Sequence, residues 1–206
     1  MKILITLITI FIVLCLNELY WRKRNKHNEL NRKLVHILIG TFSAFWPFFL
    51  PFQTIKYLSL AYLGVVIISK HFSLFKSIHQ VERHTLGEVF FAISVGLLAF
   101  ITNNKWLYAT SLLQMSLADG LAAVLGTKYG KSNQYKINGS TKSIIGTLTF
   151  FVTSLGLLIV FHLLGHLTFS YFYLLLVSLI ATIIENISIQ GLDNLLVPLI
   201  VLILIK

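Results

Sequence analysis

The chain has 206 residues, of which 56% are hydrophobic and only 12% charged, where a soluble domain carries about 25% charged residues. Its mean hydropathy is +0.83, and from Ser143 to Ile184 there are 42 consecutive residues without Asp, Glu, Lys or Arg, which excludes a soluble globular surface. The excess of 17 Lys/Arg over 7 Asp/Glu gives a net charge of +10; in a soluble chain that would raise nucleic acid as a partner, but in a membrane chain it reports topology and no nucleic acid is expected.

Apolar runs between charges predict an all-α integral membrane protein, a single polytopic domain over 1–206. Eight helices are expected, within a range of seven to nine, at roughly 3–20, 34–50, 56–70, 88–102, 106–125, 144–161, 170–184 and 192–205. The 42-residue uncharged run must hold two of them, because about 20 residues cross the hydrocarbon core, and His162-Leu-Leu-Gly165-His166 is the natural break. The first run has a heavy basic cluster behind it and no small-residue cleavage site, so it is expected to be a retained span rather than a signal peptide. Cys15 sits inside it, and a single cysteine leaves no disulfide framework and no cysteine-ligated metal site.

Alternating these runs sorts the basic residues unequally. Arg22, Lys23, Arg24, Lys26, Arg32 and Lys33 fall on one side with Lys70, Lys76, Arg83, Lys128, Lys131, Lys136 and Lys142, which is 13 of the 17. The other side keeps Lys2, Lys56, Lys105 and Lys206. The positive-inside rule then places both termini outside and the loops 21–33, 70–87, 126–142 and 185–191 in the cytoplasm. His162 and His166 fall on the outer side and read as interfacial residues.

All seven acids, Glu18, Glu29, Glu82, Glu88, Asp119, Glu185 and Asp193, fall on the cytoplasmic side of this scheme. Acids contribute little to topology, so their clustering needs another reason. Asp119 lies inside the fifth run, about two turns from its cytoplasmic end, where an ionisable group costs a few kcal/mol and is a functional hypothesis by default. Ala122, Ala123 and Gly126 leave one face beside it bare for a helix or a ligand. The alternative is that Asp119 pairs with a lysine and locks two helices. Asp193 also fits a helix-cap residue.

The loop after Asp119 reads Gly126-Thr-Lys-Tyr-Gly130-Lys131 and then Asn138-Gly139-Ser-Thr-Lys142-Ser143, with Gly146 one turn into the next helix. Glycines let backbone N–H groups approach an anion, lysines add point charge, hydroxyls bond phosphate oxygens, and a helix N-terminus favours negative charge. The glycine spacing is not that of a Walker loop. Carboxylates facing phosphate-binding groups are the arrangement that holds magnesium between protein and polyphosphate. Arg32, Lys33 and His36 share a helix face at the start of the second run, Arg83 and Glu88 flank the fourth, and Glu185-Asn186 and Asp193-Asn194 bracket the last loop.

These residues resemble the polyprenol kinase family, which takes in dolichol, phytol and farnesol kinases and the CTP-dependent diacylglycerol kinases. The resemblance runs through Arg32-Lys33-x-x-His36-x-x-x-Gly40, Arg83-x-x-x-Gly87-Glu88 and Asp119-Gly120-x-Ala122-Ala123-x-x-Gly126-x-x-Tyr129-Gly130-Lys131. It continues through Lys142-Ser143-x-x-Gly146, Glu185 and Gly191-x-Asp193-Asn194-x-x-x-Pro198, and covers about 31–199. It implies a small multi-span enzyme that moves the γ-phosphate of CTP to the hydroxyl of a lipid alcohol drawn from the bilayer. Under it, Asp119, Asp193 and Lys142 are the catalytic candidates, with Asp119 either a magnesium ligand or the base that takes the acceptor proton. Asp119, Glu185 and Asp193 are the magnesium candidates. Arg32, Lys33, His36, Arg83, Glu88, Gly126, Gly130, Lys131, Lys142, Ser143 and Asn194 are the nucleotide-binding candidates.

Phosphatidate cytidylyltransferases share a basic loop and carboxylates but carry His-Gly-Gly followed by Asp-Arg near the C-terminus. Here the stretch is Gln190-Gly191-Leu192-Asp193-Asn194, which favours kinase over cytidylyl transfer. A transporter would place polar residues along a path through both leaflets, whereas the outer halves of these runs carry no acids, and no inverted repeat is evident.

Overall fold

The computed structural model describes residues 1–24, 29–72 and 86–206. Among them are helices α1 (Lys2–Arg24), α2 (Glu29–Ala44), α3 (Phe52–His71) and α4 (Gly87–Ile101). They are followed by α5 (Lys105–Tyr129), α6 (Ile144–Leu163), α7 (Tyr171–Ile187) and α8 (Asp193–Ile205). Each predicted run therefore falls on a helix. Four of the eight, α1, α3, α5 and α6, are long and apolar enough to cross a membrane by length and composition.

The helix ends follow from local chemistry. The second run, expected to reach 50, stops at Ala44 because Pro47 cannot continue a helix; Trp46–Phe48 instead form a 3-10 turn. Asn104, Ser143 and Ser170 cap α5, α6 and α7, each side chain accepting from backbone N–H groups of the first turn. The fifth run was expected to end near 125, but α5 continues to Tyr129, and its cap N–H, on Gly130, bonds back to Gly126 O.

Helix α5 is the central rod, with most of its length buried, whereas α1 is mostly exposed. Around α5 pack α2, α6 and α8, and α3 packs on α4. Large apolar side chains face outward along α1 (Leu4, Phe11, Leu16) and α6 (Leu148, Val152, Leu163), as the lipid-facing side of a membrane bundle requires. The inward face of α5 is polar: Thr110, Ser111, Gln114 and Ser116 are all fully buried. Gln114 Nε2 donates to Ser154 O of α6 at 3.2 Å. Lys206 Nζ reaches Ile101 O, Lys56 lies over the Phe100 ring and Lys105 over Phe48. These three basic residues, expected on the outer side, thus gather at one end of the bundle, and His166 stacks on Trp106 at the same end.

The chain is mostly helical, as expected, and the loop between α5 and α6 carries a short element besides: β1 (Gln134–Ile137) and β2 (Ser140–Ser143) form an antiparallel hairpin. Asn138 and Gly139 sit at its tip with φ of 48° and 75°, the left-handed pair of a two-residue type I′ turn. Asn-Gly between alternating half-buried residues is a strong hairpin signal.

The loop before α8 is held by a backbone contact that only glycine permits. Gly191 has φ of 88°, and a Cβ there would stand 2.6 Å from Gly87 Cα at the start of α4; Leu86 N–H bonds Gln190 O at 3.0 Å. We expect Gly191→Ala to combine a left-handed penalty of about 1–2 kcal/mol with that overlap and to lower the melting temperature in detergent. Gly156→Ala, where a Cβ meets nothing within 4 Å, should leave it unchanged.

Candidate active site

At the end of the bundle opposite Lys56, Lys105 and Lys206 lies a cleft of about 710 Å³, a size usual for small-ligand sites. Its floor is built where α2 crosses α5. A Cβ on Gly40 would stand 2.4 Å from Ser116 Cβ, and one on Gly120 would stand 2.2 Å from Ile37 Cγ1, so bare backbone at both points lets the helices approach closely. That approach brings Lys33 Nζ to 2.6 Å from Asp119 Oδ2, with both side chains buried. The helix-locking lysine considered for Asp119 is therefore real, and it is Lys33.

Immediately before Asp119, residues Gln114–Ala118 form a π-helical turn, which shifts the backbone hydrogen bonds by one residue. Asp119 N–H bonds Gln114 O and Ser116 O, while Met115 O lies 3.0 Å from His36 Nε2. Because a carbonyl can only accept, that contact fixes the proton on His36 Nε2. The same nitrogen is 3.6 Å from Asp119 Oδ2.

The second wall is the hairpin. Tyr135 and Lys142 are cross-strand partners, so their side chains share a face, and that face is turned to the end of α7. Lys142 Nζ bonds the Glu185 carboxylate, and also Glu185 O at 3.0 Å. Tyr135 Oη donates to Asn186 Oδ1 and meets Thr147 Oγ1 of α6; Asn138 Nδ2 donates to Ile187 O at 2.9 Å. Burial alone would lower the Lys142 ammonium, but Glu185 beside it outweighs burial and raises it above the usual lysine range. Lys142 is therefore a permanent cation at physiological pH.

The glycines of the loop also have a packing role. A Cβ at Gly126, Gly130 or Gly146 would stand 2.9, 2.3 or 3.1 Å from Ser143 Oγ. Together they make a socket for Ser143, whose hydroxyl accepts from Gly146 N–H and caps α6. The close approach they allow is between α5, the hairpin and α6.

Asp119, Glu185 and Asp193 offer carboxylate oxygens that all lie within 4.8 Å of one another. Hard oxygen donors converging at that spacing suit a divalent cation such as magnesium. Asn194, next to Asp193, is anchored twice. Pro198 lacks the N–H that would bond the Asn194 carbonyl one turn back, and Ser94 Oγ donates to that carbonyl at 2.6 Å instead. The side-chain Nδ2 donates to Gly87 O at 3.0 Å.

No protein-family model matches the chain, and no solved structure does. Phytol kinase of Synechocystis is 31% identical over 83% of this chain and 76% of that protein. Phytol kinase 1 of Arabidopsis thaliana is 32% identical over 86% of this chain and 66% of its own length. Probable phytol kinase 2 of Oryza sativa is 32% identical over 83% and 63%. The chain belongs to the polyprenol/phytol kinase family.

The residues that carry the polyprenol kinase resemblance are mostly gathered in this cleft. Arg32, Lys33, Asp119, Gly126, Lys131, Lys142, Ser143, Glu185, Asp193 and Asn194 all line it. Gly130 lies behind Ser143. His36 and Glu88, expected among the nucleotide contacts, line instead a smaller neighbouring pocket, with Glu88 4.0 Å from Arg32. Arg83 lies outside the described residues. Tyr135 and the π-turn carbonyl of Met115 adjoin the site and were not among the sequence candidates, and Asn186, noted beside Glu185, proves to be the partner of Tyr135.

The Lys33–Asp119 pair generates a test of its own. Asp119→Asn leaves Lys33 buried without its partner, which should cost roughly 3–5 kcal/mol. Adding Lys33→Met should restore the melting temperature. If the pair were only a helix lock, the double variant would recover turnover together with stability; we expect stability to return and turnover to stay lost.

Proposed function

We propose that the chain is a membrane-embedded lipid-alcohol kinase that transfers the γ-phosphate of CTP to the hydroxyl of an isoprenoid alcohol of the phytol or prenol type, at the cytoplasmic membrane interface. The observation that carries this reading is the cleft itself, in which three carboxylates and the cations Arg32, Lys33, Lys131 and Lys142 share one lining at one end of an apolar bundle. The similarity to phytol kinases supports the acceptor class. CTP as donor and the cytoplasmic side rest on the family resemblance and on the loop charges.

Phosphoryl transfer asks the protein mainly for positioning and charge neutralisation. Lys131 and Lys142 project from the loop and the hairpin and bind the nucleotide phosphates. Ser143, seated among its glycines, fixes the start of α6 against the same loop. Lys33 and Lys142, which neutralise Asp119 and Glu185 in the structure, are the ammonium groups that phosphate oxygens would draw away, leaving the two carboxylates to a metal ion. Glu185 and Asp193, with Asp119 where it is not the base, would hold magnesium, whose positive charge would offset that of the phosphates. In the transfer, the alcohol oxygen bonds to the γ-phosphorus and the bond from that phosphorus to the β-phosphate oxygen breaks. Its electron pair leaves with the nucleoside diphosphate, and the hydroxyl proton passes to Asp119 acting as base.

Purified protein in lipid nanodiscs, given γ-labelled CTP and phytol, should yield labelled phytyl phosphate. Incorporation of the cytidylyl group, or no transfer to any lipid alcohol, would overturn the reading. Lys142→Ala should lower kcat/KM for CTP by about 10²-fold or more, the scale of losing a charge-stabilising group. Lys105→Ala, at the far end of the bundle, should not.

For the sidedness, in a Cys15→Ser background, Ser132→Cys should react with an impermeant thiol reagent only from the cytoplasm and Asn103→Cys only from outside. Labelling of both from one side would overturn the topology.

A further inference from the structure

Beside the main cleft is a second, smaller pocket of about 50 Å³. It lies between α1, α2, α3 and α4 and touches the first residues of α8. It is lined by Arg32, Glu88 and Asn194, with Leu14, Val35, Ile39, Tyr62 and Phe91 as its apolar walls and His36 beside them. Phe91 meets Tyr62 and His36 edge-on, at centroid separations of 5.9 and 5.4 Å. On a scale where one water needs about 10–15 Å³, the pocket admits roughly four groups of water or methylene size. A nucleotide does not fit; the hydroxyl-bearing end of an aliphatic chain does.

Two residues, Arg32 and Asn194, line both this pocket and the main cleft. Asn194 is only 4% exposed. Its Nδ2 is spent on Gly87 O, while its Oδ1 is buried with no hydrogen-bond partner among the described residues. A buried acceptor without a donor is unfavourable, and here it stands at the point where the two cavities share a wall.

We propose that the small pocket is the acceptor subsite: the hydroxyl of a single-chain isoprenoid alcohol donates to Asn194 Oδ1, and its first carbons lie against Val35, Ile39, Phe91 and Tyr62. This rests on the lipid-alcohol kinase reading and extends it, moving Asn194 from the nucleotide to the acceptor. The remaining chain leaves past Leu14 of α1, the most lipid-exposed helix of the bundle, into the bilayer. The alcohol oxygen then faces the main cleft, where the γ-phosphate arrives from the other side of Arg32 and Asn194. The bonds made and broken are those given above; Asn194 orients the oxygen before the transfer and takes no proton, and as the γ-phosphate arrives the O–H turns from Asn194 Oδ1 to the carboxylate that accepts its proton. A diacylglycerol brings two ester groups to the same depth, and a pocket of about 50 Å³ does not have the volume for them, so single-chain primary alcohols are selected.

The test uses full-length protein in nanodiscs with phytol, dioleoylglycerol and CTP. Ile39→Trp fills the wall and Leu14→Trp fills the exit from the α1 side; each should raise the KM for phytol at least tenfold and leave the KM for CTP unchanged. Asn194→Leu should impair phytol phosphorylation at least tenfold without weakening CTP binding. Wild-type protein should prefer phytol to dioleoylglycerol by at least tenfold in kcat/KM. Should Ile39→Trp fail to fold, Leu14→Trp, at a half-buried position, decides. Unchanged phytol kinetics in the folded tryptophan variants, an equal rise in both KM values, or equal use of dioleoylglycerol would overturn the acceptor subsite. No phosphorylation of any alcohol by the wild-type protein would instead overturn the kinase reading itself.

Discussion

A carboxylate and an ammonium at 2.6 Å, both buried where α2 crosses α5, set the terms for the rest of this structure. Burying either charge alone in an apolar bundle is strongly unfavourable, so the two must arrive together. Their meeting requires the helices to cross with almost no side chain between them. Gly40 against Ser116 and Gly120 against Ile37 supply that closeness, and the rest of the site is arranged around the crossing. α6 and α8 pack on the same central helix, and α8 carries Asp193 to within 4.8 Å of Asp119 and Glu185.

Two irregularities in the helices serve the same end. The π-turn before Asp119 leaves Met115 O to His36, which fixes a ring that also borders Asp119. Pro198 frees the Asn194 carbonyl for Ser94, which ties α8 to α4 and leaves the Asn194 side chain at the boundary of two cavities. In a bundle whose helices otherwise satisfy their own backbone, each released carbonyl has become a cross-link between elements.

Much of this was legible in the residues and some was not, for identifiable reasons. Hydrophobic runs broken by charge located the eight helices of the described residues, because a helix packed in an apolar bundle carries long apolar stretches. The acids and the basic loop were recognisable because ionisable groups near an apolar core have few bland explanations. What escaped depended on partners distant in sequence: Lys33 reads as a juxtamembrane cation until the Gly40 and Gly120 contacts place it on Asp119. The hairpin is marked in the sequence by its Asn138-Gly139 tip, although the surrounding lysines and serines draw attention to phosphate binding first. The glycines at 126, 130 and 146 read as points of close approach, but that they close around Ser143 depends on how α5, the hairpin and α6 meet.

The same electrostatics links the resting site to its chemistry. Three carboxylates cannot converge at the edge of a hydrocarbon core without counter-charge, because their mutual repulsion is weakly screened there. Lys33 and Lys142 supply that counter-charge from within the chain. In the proposed reaction a nucleotide phosphate would compete for those two ammonium groups, and a divalent cation would compete for the carboxylates they release. Either alone would strand a charge, whereas both together would exchange two internal ion pairs for two external ones. Coupling of that kind would make the assembled site conditional on metal and nucleotide arriving as a unit.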